Sequence, residues 1–286
     1  MSADTLPLVT ATPAATLSQA EFRTVAAILR QEARISLSES KISLVQSRLA
    51  RRLRSCGLAD FRSYLRLVGE NAGERALMVT ALTTNHTHFF RENHHFDHLR
   101  SEVLPHLRER AASGQPVRLW SAGCSSGEEV YSMAMVLAGT SRADARWLGG
   151  DVRMLATDLS EPMVEATARG VYPTIVADKI PLPYRAAWLC PSADELTIDP
   201  ELRALVTART LNLFRPWPFR HQFDVIFCRN VMIYFDADAR AELEQRLVAQ
   251  LRPGGTLFIG HSERLTGAAA AAIVCRGQTI YFKPEA

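Results

Sequence analysis

The segment Leu119-Trp120-Ser121-Ala122-Gly123-Cys124-Ser125-Ser126-Gly127-Glu128-Glu129 carries the fold prediction for this chain. A short apolar run ends in two glycines separated by three residues, and a helix-like sequence follows from Val130 to Ala138. This order predicts a strand, a tight turn and the start of a helix. Such a turn lets the backbone approach a nucleotide-like ligand closely.

The residues in the turn indicate which ligand it can take. The third glycine of the G-x-G-x-x-G dinucleotide motif is missing, and Glu128 and Glu129 stand where a phosphate would have to bind. Two carboxylates repel a phosphate and favour a cation. S-adenosylmethionine fits because it carries a sulfonium and an ammonium and no phosphate. A nicotinamide-dependent oxidoreductase is the disfavoured alternative.

Composition and charge disfavour several classes of protein. The chain has 286 residues, 47% of them apolar, and a net charge of +3, which is too mild to predict nucleic-acid binding by the whole molecule. We find no apolar run near the roughly 18 residues of a membrane span and no signal peptide, so we expect a cytoplasmic protein without membrane insertion. The five cysteines lie far apart, which favours reduced thiols over a disulfide or zinc framework.

The chain divides into three parts by its patterning. Residues 1–17 are rich in Ala, Thr and Pro and are predicted to be a disordered tail. Residues 18–80 are helical throughout, with a capping box at Ser18 and Glu21. Residues 81–286 alternate strands and helices, which predicts an α/β, doubly wound, mostly parallel sheet. We expect its strands at Arg118–Ser121, Arg153–Asp158, Phe223–Cys228 and Thr256–Gly260.

Two further features belong to the α/β part. A hairpin around Arg276-Gly277-Gln278 predicts an antiparallel C-terminal edge on the sheet. The irregular, proline-rich stretch of about 172–210 is interpreted as a small insertion subdomain.

Polar residues follow the predicted strands, where ligands of open parallel sheets bind. Asp158 could accept hydrogen bonds from a ribose or cap the next helix, and these alternatives stay open. Asn212 could pair with an adenine edge or form a turn. Arg229 and Asn230 end a buried strand, a position that favours function over packing.

Five histidines, His86, His88, His94, His95 and His98, raise the possibility of a metal site. No zinc-type Asp/Glu–His motif surrounds them, and histidines on helix surfaces are common, so we expect no metal.

The second predicted helix is strongly basic. Its apolar residues are expected to face a core and leave the arginines outward, which indicates an acidic partner. RNA fits the charge equally well, but no aromatic platform accompanies the arginines, so we expect no nucleic acid.

From about Ala20 to Lys283 the chain resembles the CheR-type chemotaxis receptor methyltransferases. The resemblance is dense in Leu82–Phe96, Arg118–Ser132, Phe223–Phe235, Pro253–Glu263 and Arg276–Thr279, and the string Phe-Asp-Val-Ile-Phe-Cys-Arg-Asn-Val-Met-Ile-Tyr-Phe is specific to that family. It implies a class I methyltransferase domain beside a small all-helical N-terminal domain. It also implies transfer of methyl groups from S-adenosylmethionine to glutamate side chains of chemoreceptors, with S-adenosylhomocysteine as product.

The resemblance also implies roles for individual residues. Arg91 and Tyr234 would lie nearest the transferred methyl group. The basic helix, which would contact the cytoplasmic domain of the receptor, corresponds to Arg48, Arg51, Arg52 and Arg54. The cofactor contacts would be Asn85, Thr87, Arg91, Glu129, Asp158, Asn212, Leu213, Arg229 and Asn230.

From the chemistry of the residues, Arg91 is expected to steer the substrate carboxylate, and Tyr234 to donate a hydrogen bond or to pack.

Val130 stands where many relatives have proline. In relatives the insertion can dock a C-terminal receptor pentapeptide, and its shortness here favours an enzyme that does not need that tether. A monomer is expected. The alternative is a non-catalytic S-adenosylmethionine-binding module of the same fold.

Overall fold

The computed structural model describes residues 15–285, so most of the tail predicted at residues 1–17 lies outside the described residues. Leu17 is described and is 3% exposed, because it packs in a core and its backbone N–H donates to Gln46 Oε1 at 3.0 Å. Leu17, which the prediction placed in the tail, is therefore part of the folded first unit.

The chain forms two compact units. The first runs to Glu32 and resumes from Ser36 to Leu82, and the second contains Ala33–Ile35 and everything from Thr83 onward. The first unit contains four helices: α1 (Gln19–Ala33, whose last residue belongs to the second unit), α2 (Ile42–Ser55), α3 (Phe61–Glu70) and α4 (Ala72–Leu82).

Side-chain caps explain where these helices begin. The predicted capping box is present, since Ser18 N–H donates to Glu21 Oε2 at 2.8 Å and Glu21 N–H donates to Ser18 Oγ at 3.3 Å. Asp60 Oδ1 accepts the Ser63 N–H at 2.8 Å and starts α3.

The second unit is built on a seven-stranded sheet in the order β6-β2-β1-β7-β8-β10-β9. Its strands are β1 (Val117–Ala122), β2 (Val152–Asp158), β6 (Val206–Thr210), β7 (Phe223–Cys228), β8 (Leu251–Ile259), β9 (Val274–Gly277) and β10 (Ile280–Phe282). The pairs among β6, β2, β1, β7 and β8 are parallel, while β10 is antiparallel to β8 and β9. The predicted parallel sheet with an antiparallel edge is confirmed.

Helices cover both faces of this sheet. The helical segment that precedes β1 comprises α5 (His94–His98), a π-helical turn (Leu99–Val103) and α6 (Leu104–Ala112). The longer helices further along are α7 (Glu128–Ala138), α8 (Glu161–Arg169) and α11 (Ala237–Gln250), and the short α12 (Gly267–Ala271) precedes β9. Consecutive residues of β1 point to opposite cores, since Leu119 belongs to one buried cluster and Trp120 to the other. All six residues of β7 are buried, as expected of a strand covered on both sides.

The predicted insertion is only partly separate from the main sheet. It contains α9 (Leu182–Trp188), α10 (Pro200–Leu205) and a three-stranded antiparallel sheet of β3 (Val171–Pro173), β5 (Glu195–Ile198) and β4 (Leu189–Pro191). Its last residues, Val206–Thr210, instead pair with β2 as the edge strand of the main sheet. The insertion therefore ends before Val206 and not at about 210. The sequence did not show this strand, because only Ala208 of it is buried and it contains no apolar run.

Candidate active site

The site lies where the sheet changes its winding direction. From β1 the chain proceeds to β2 and β6 on one side, and from β7 it proceeds to β8 on the other. Parallel neighbours that diverge in this way leave a crevice outside their carboxyl ends, which is where ligands bind in such sheets. The turn after β1 and the loop after β7 border this crevice.

The turn after β1 requires its glycines. Gly123 has φ of 81° and Gly127 has φ of 98°, both in the left-handed region. A Cβ on Gly123 would come within 2.5 Å of Val231 Cγ2 in the loop after β7, so a larger residue would push the two loops apart.

Glu129, in the first turn of α7, faces this crevice. Its Oε1 accepts the Ser121 hydroxyl at 2.6 Å, and its Oε2 lies 3.2 Å from Arg229 Nη1. Burial raises the pKa of Glu129, and the charge of Arg229 opposes that rise.

Arg229 is enclosed rather than open to a ligand. Its side chain is 2% exposed, and besides Glu129 it forms an ion pair with Glu92 Oε2 at 3.2 Å and donates to the carbonyl of Arg91. The guanidinium also lies over the ring of Phe96, 5.5 Å from its centre. Two acidic side chains thus share this one guanidinium.

Glu92 is the second carboxylate of that cluster. Burial would raise the pKa of Glu92, but the charge of Arg229 and the hydrogen bonds from His261 outweigh burial and lower it to about 2. Its Oε1 also lies 3.3 Å from Asn230 Nδ2.

Asp158 ends β2 and uses both oxygens locally. Oδ2 accepts the Ser125 N–H and Oδ1 accepts the Ser160 N–H, each at 2.9 Å, and burial raises the pKa of Asp158. Ser160 is itself the N-cap residue of α8, and no side chain caps that helix, so Asp158 binds the turn before α8 and does not cap it as one alternative predicted. Each carboxylate oxygen has two acceptor sites, which leaves capacity for ribose hydroxyls.

The residues before α5 line the same edge. Asn85, Thr87 and Arg91 are half-buried. The carbonyl of Asn85 accepts the Ser125 hydroxyl at 2.8 Å, which ties this segment to the glycine turn. Arg91 Nη1 donates to the carbonyl of His86 at 2.9 Å and thus uses one of its five N–H donors.

Asn212 and Leu213 follow β6 at the same end of the sheet. Asn212 Oδ1 accepts the Phe214 N–H at 2.9 Å, so the turn role is present here as well. Leu213 is 8% exposed.

The loop after β7 is held by a residue that sequence reasoning missed. Glu263 accepts backbone N–H groups from Gly260 at 2.5 Å, Met232 at 2.8 Å and Asn230 at 3.1 Å. Asn230 has φ of 58°, and Tyr234 lies half-buried in the short helical turn Met232–Tyr234. Glu263 lies 33 residues from Asn230, so no local pattern could have revealed the contact.

The sequence analysis treated these histidines as surface residues, but not all of them are exposed. His95 is fully buried, and its Nε2 lies 3.0 Å from Thr279 Oγ1. Burial, with Arg229 nearby, lowers the pKa of His95 to about 3, so the ring is neutral. Within residues 15–285 no group of three or more His, Cys, Asp or Glu side chains could hold a metal ion.

The basic helix α2 departs from its prediction. Arg52 binds Glu74 through two hydrogen bonds of 3.0 and 2.6 Å, and Arg48 donates to the Leu82 carbonyl at 2.9 Å. The expectation that all four arginines point outward is therefore wrong for these two. Arg51 and Arg54 are exposed.

The residue set at the strand ends fits S-adenosylmethionine better than a diphosphate cofactor. Glu92, Glu129 and Asp158 place carboxylates at the crevice, and the one guanidinium among them is enclosed by the first two. Glu128, at the start of α7, accepts the Ser126 hydroxyl at 2.7 Å, and its side chain lies at the helix start where a phosphate would have to bind.

Comparisons with known proteins agree with this geometry. Residues 85–282 match the family model described as CheR methyltransferase, SAM binding domain, and residues 20–83 match CheR methyltransferase, all-alpha domain. The chain belongs to the CheR methyltransferase family. It is a methyltransferase with S-adenosylmethionine as its cofactor, and the predicted class I methyltransferase fold with an all-helical N-terminal part is confirmed.

Curated relatives of the family cover most of the chain. A probable chemotaxis protein methyltransferase of Rhizobium etli is 42% identical over 89% of this chain and 96% of its own length. Chemotaxis protein methyltransferase 2 of Pseudomonas aeruginosa is 39% identical, over 91% of this chain and 92% of its own. The chemotaxis protein methyltransferase of Escherichia coli is also 39% identical, over 93% and 91%. None of the helices described between residues 15 and 285 combines the length and hydropathy needed to cross a bilayer.

Proposed function

We propose that this CheR methyltransferase transfers the methyl group of S-adenosylmethionine to glutamate side chains of chemoreceptors, giving glutamyl methyl esters. The observation that carries the proposal is the contrast between two arginines at one sheet edge. Arg229 is enclosed by Glu92 and Glu129, while Arg91 is half-buried with one N–H donor used by the His86 carbonyl. Arg91 is thus available to orient an incoming carboxylate.

The reaction requires the substrate carboxylate to be oriented and does not require a general base. A glutamate side chain has a reference pKa of about 4.3 and is already ionised and nucleophilic at pH 7. S-adenosylmethionine, when bound, supplies an electrophilic methyl group on a sulfonium. Holding a carboxylate oxygen in line with that group can supply on the order of 7–11 kcal/mol of barrier reduction.

In this proposal Asp158 binds the ribose hydroxyls, Glu129 adds negative charge, and Asn85, Thr87, Asn212, Leu213 and Asn230 contact the cofactor. Arg229 acts through Glu129, since its own guanidinium is already paired with Glu92 and Glu129. Tyr234 lies in the turn after β7 and is proposed to shape the site or to donate one hydrogen bond to the substrate.

We also propose that the exposed Arg51 and Arg54 of α2 contact the acidic methylation region of a receptor's cytoplasmic domain, because the guanidinium of Arg52 is already bound by Glu74. The monomeric state remains a prediction.

The function is tested by incubating the protein with methyl-labelled S-adenosylmethionine and the cytoplasmic domains of the receptors from the same genome. Label that becomes volatile methanol after mild base treatment supports a carboxyl methyl ester, and its loss on replacing the modified glutamates by alanine identifies them. Label that stays on the receptor through base treatment contradicts transfer to a carboxylate. Cofactor binding with no label transfer to any receptor supports the non-catalytic alternative.

A further inference from the structure

The backbone around Arg91 is strained on both sides. Phe90 has φ of 53° and Glu92 has φ of 58°, which places both in the left-handed region that side chains other than glycine rarely adopt. Such conformations persist only where surrounding contacts impose them. The conformation of Arg91 is therefore fixed by its neighbours rather than by local preference.

The first two contacts are made by the backbone. The N–H of Phe90 donates to Ser132 Oγ at 3.0 Å, and this hydroxyl donates in turn to the Glu128 carbonyl at 2.6 Å. The carbonyl of Arg91 accepts from the guanidinium of Arg229. These contacts attach the strained segment to α7 and to the end of β7.

The third contact is the carboxylate of Glu92, which joins three loops. It forms an ion pair with Arg229 at 3.2 Å, lies 2.9 Å from His261 Nδ1 after β8, and lies 3.3 Å from Asn230 Nδ2 after β7. The same carboxylate thus holds the guanidinium that binds the Arg91 carbonyl.

We propose that Glu92 is a positioning residue for methyl transfer, which holds Arg229 and the loops at Asn230 and His261 so that Arg91 meets the substrate carboxylate in one fixed conformation. This inference rests on the proposed function. Glu92 itself touches neither the methyl group nor the substrate in this account. By keeping Arg229 in an ion pair, Glu92 leaves Arg91 as the arginine that meets the substrate.

The strained backbone makes it possible to separate positioning from folding. Glu92→Ala and Glu92→Gly both remove the carboxylate, but only glycine relieves the positive φ. Glu92→Gln keeps the length of the side chain and one acceptor oxygen for Asn230 and His261 while removing the charge. Glu102→Gln, at an exposed position ten residues further along in the helical segment that follows Glu92, is the control.

We expect the glycine variant to be more thermally stable than the alanine variant, yet both to lose about 10–100-fold in kcat for receptor methylation. The dissociation constant of S-adenosylhomocysteine, measured by calorimetry, should change by a smaller factor than kcat, because Glu92 contacts only Asn230 among the proposed cofactor residues and Asp158 and Glu129 are kept. Glu92→Gln should recover part of the lost kcat, and Glu102→Gln should match the wild type.

A second readout does not depend on the substrate. Amide hydrogen exchange of residues 85–92 should be at least several-fold faster in the alanine and glycine variants than in the wild type and in Glu102→Gln. Unchanged exchange in the glycine variant overturns the inference, and so does wild-type kcat in that variant. If the wild type methylates no receptor, the proposed function fails by itself, and the exchange rates still decide whether Glu92 fixes this segment.

Discussion

At the scale of single residues, the site is decided by which charges are paired. Arg91 and Arg229 have the same side chain, and the sequence analysis assigned both to the cofactor. Glu92 and Glu129 distinguish them, because they enclose Arg229 and leave Arg91 half-buried. Glu92 lies 137 positions before Arg229 in the sequence, so neither motif nor spacing could predict that pairing.

The pairing of Glu92 predicts an acid-sensitive contribution to stability. The folded-state pKa of about 2 lies below the reference value of 4.5, so the contribution is complete above about pH 4.5 and is lost as the pH falls towards 2. We expect Glu92→Gln to lower the free energy of unfolding by about 2–3 kcal/mol at pH 6 and by much less at pH 2.5.

Urea unfolding of the wild type and of Glu92→Gln at both pH values measures this difference. The other carboxyl groups are common to both proteins and cancel. A difference in unfolding free energy that stays constant between pH 6 and pH 2.5 would show that the ion pair with Arg229 contributes nothing.

At the scale of elements, the sequence predicted best where a residue's role is local. The start of α1 follows from Ser18 and Glu21, and β7 follows from its apolar run. Strand β6 was missed because it is an edge strand with one buried residue. The arginines of α2 were treated alike because the partner of Arg52, Glu74, lies on another helix, 22 residues away.

Helix α2 therefore carries a prediction about two of its arginines. Reversing the charge of Arg51 and Arg54 to Glu should leave the unfolding free energy within about 0.5 kcal/mol, since both are exposed. The same change should weaken binding to a receptor's cytoplasmic domain about tenfold at low salt, and the loss should shrink at high salt.

The control reverses Arg23 and Arg30, which are exposed on α1, and should have little effect on receptor binding. Arg52→Ala should instead lower the unfolding free energy by about 2–3 kcal/mol, because it leaves Glu74 buried without its cation. Equal loss of receptor binding in the α1 and α2 double variants would mean that net charge alone, and not α2, attracts the receptor.

At the scale of the whole molecule, the α/β unit brings together residues from Asn85 to Glu263 at one sheet edge. The alternation of strands and helices predicted this edge and the residues directly after each strand, because parallel strands end on the same side. It could not predict Glu263, which reaches back from beyond β8 to bind three N–H groups. The turn contact of Asn212 is one of the two alternatives that the sequence left open, and Asp158 binds its own turn as well.

The most direct test of this account is the single-turnover rate of methyl transfer to a receptor fragment by Arg91→Ala, with Arg91→Lys beside it. We expect the alanine variant to be at least 100-fold slower and the lysine variant to be intermediate, because lysine keeps the charge without the two parallel donors. S-adenosylhomocysteine should bind both variants within about threefold of the wild type. A wild-type rate in Arg91→Ala would contradict the proposal that this guanidinium orients the substrate carboxylate.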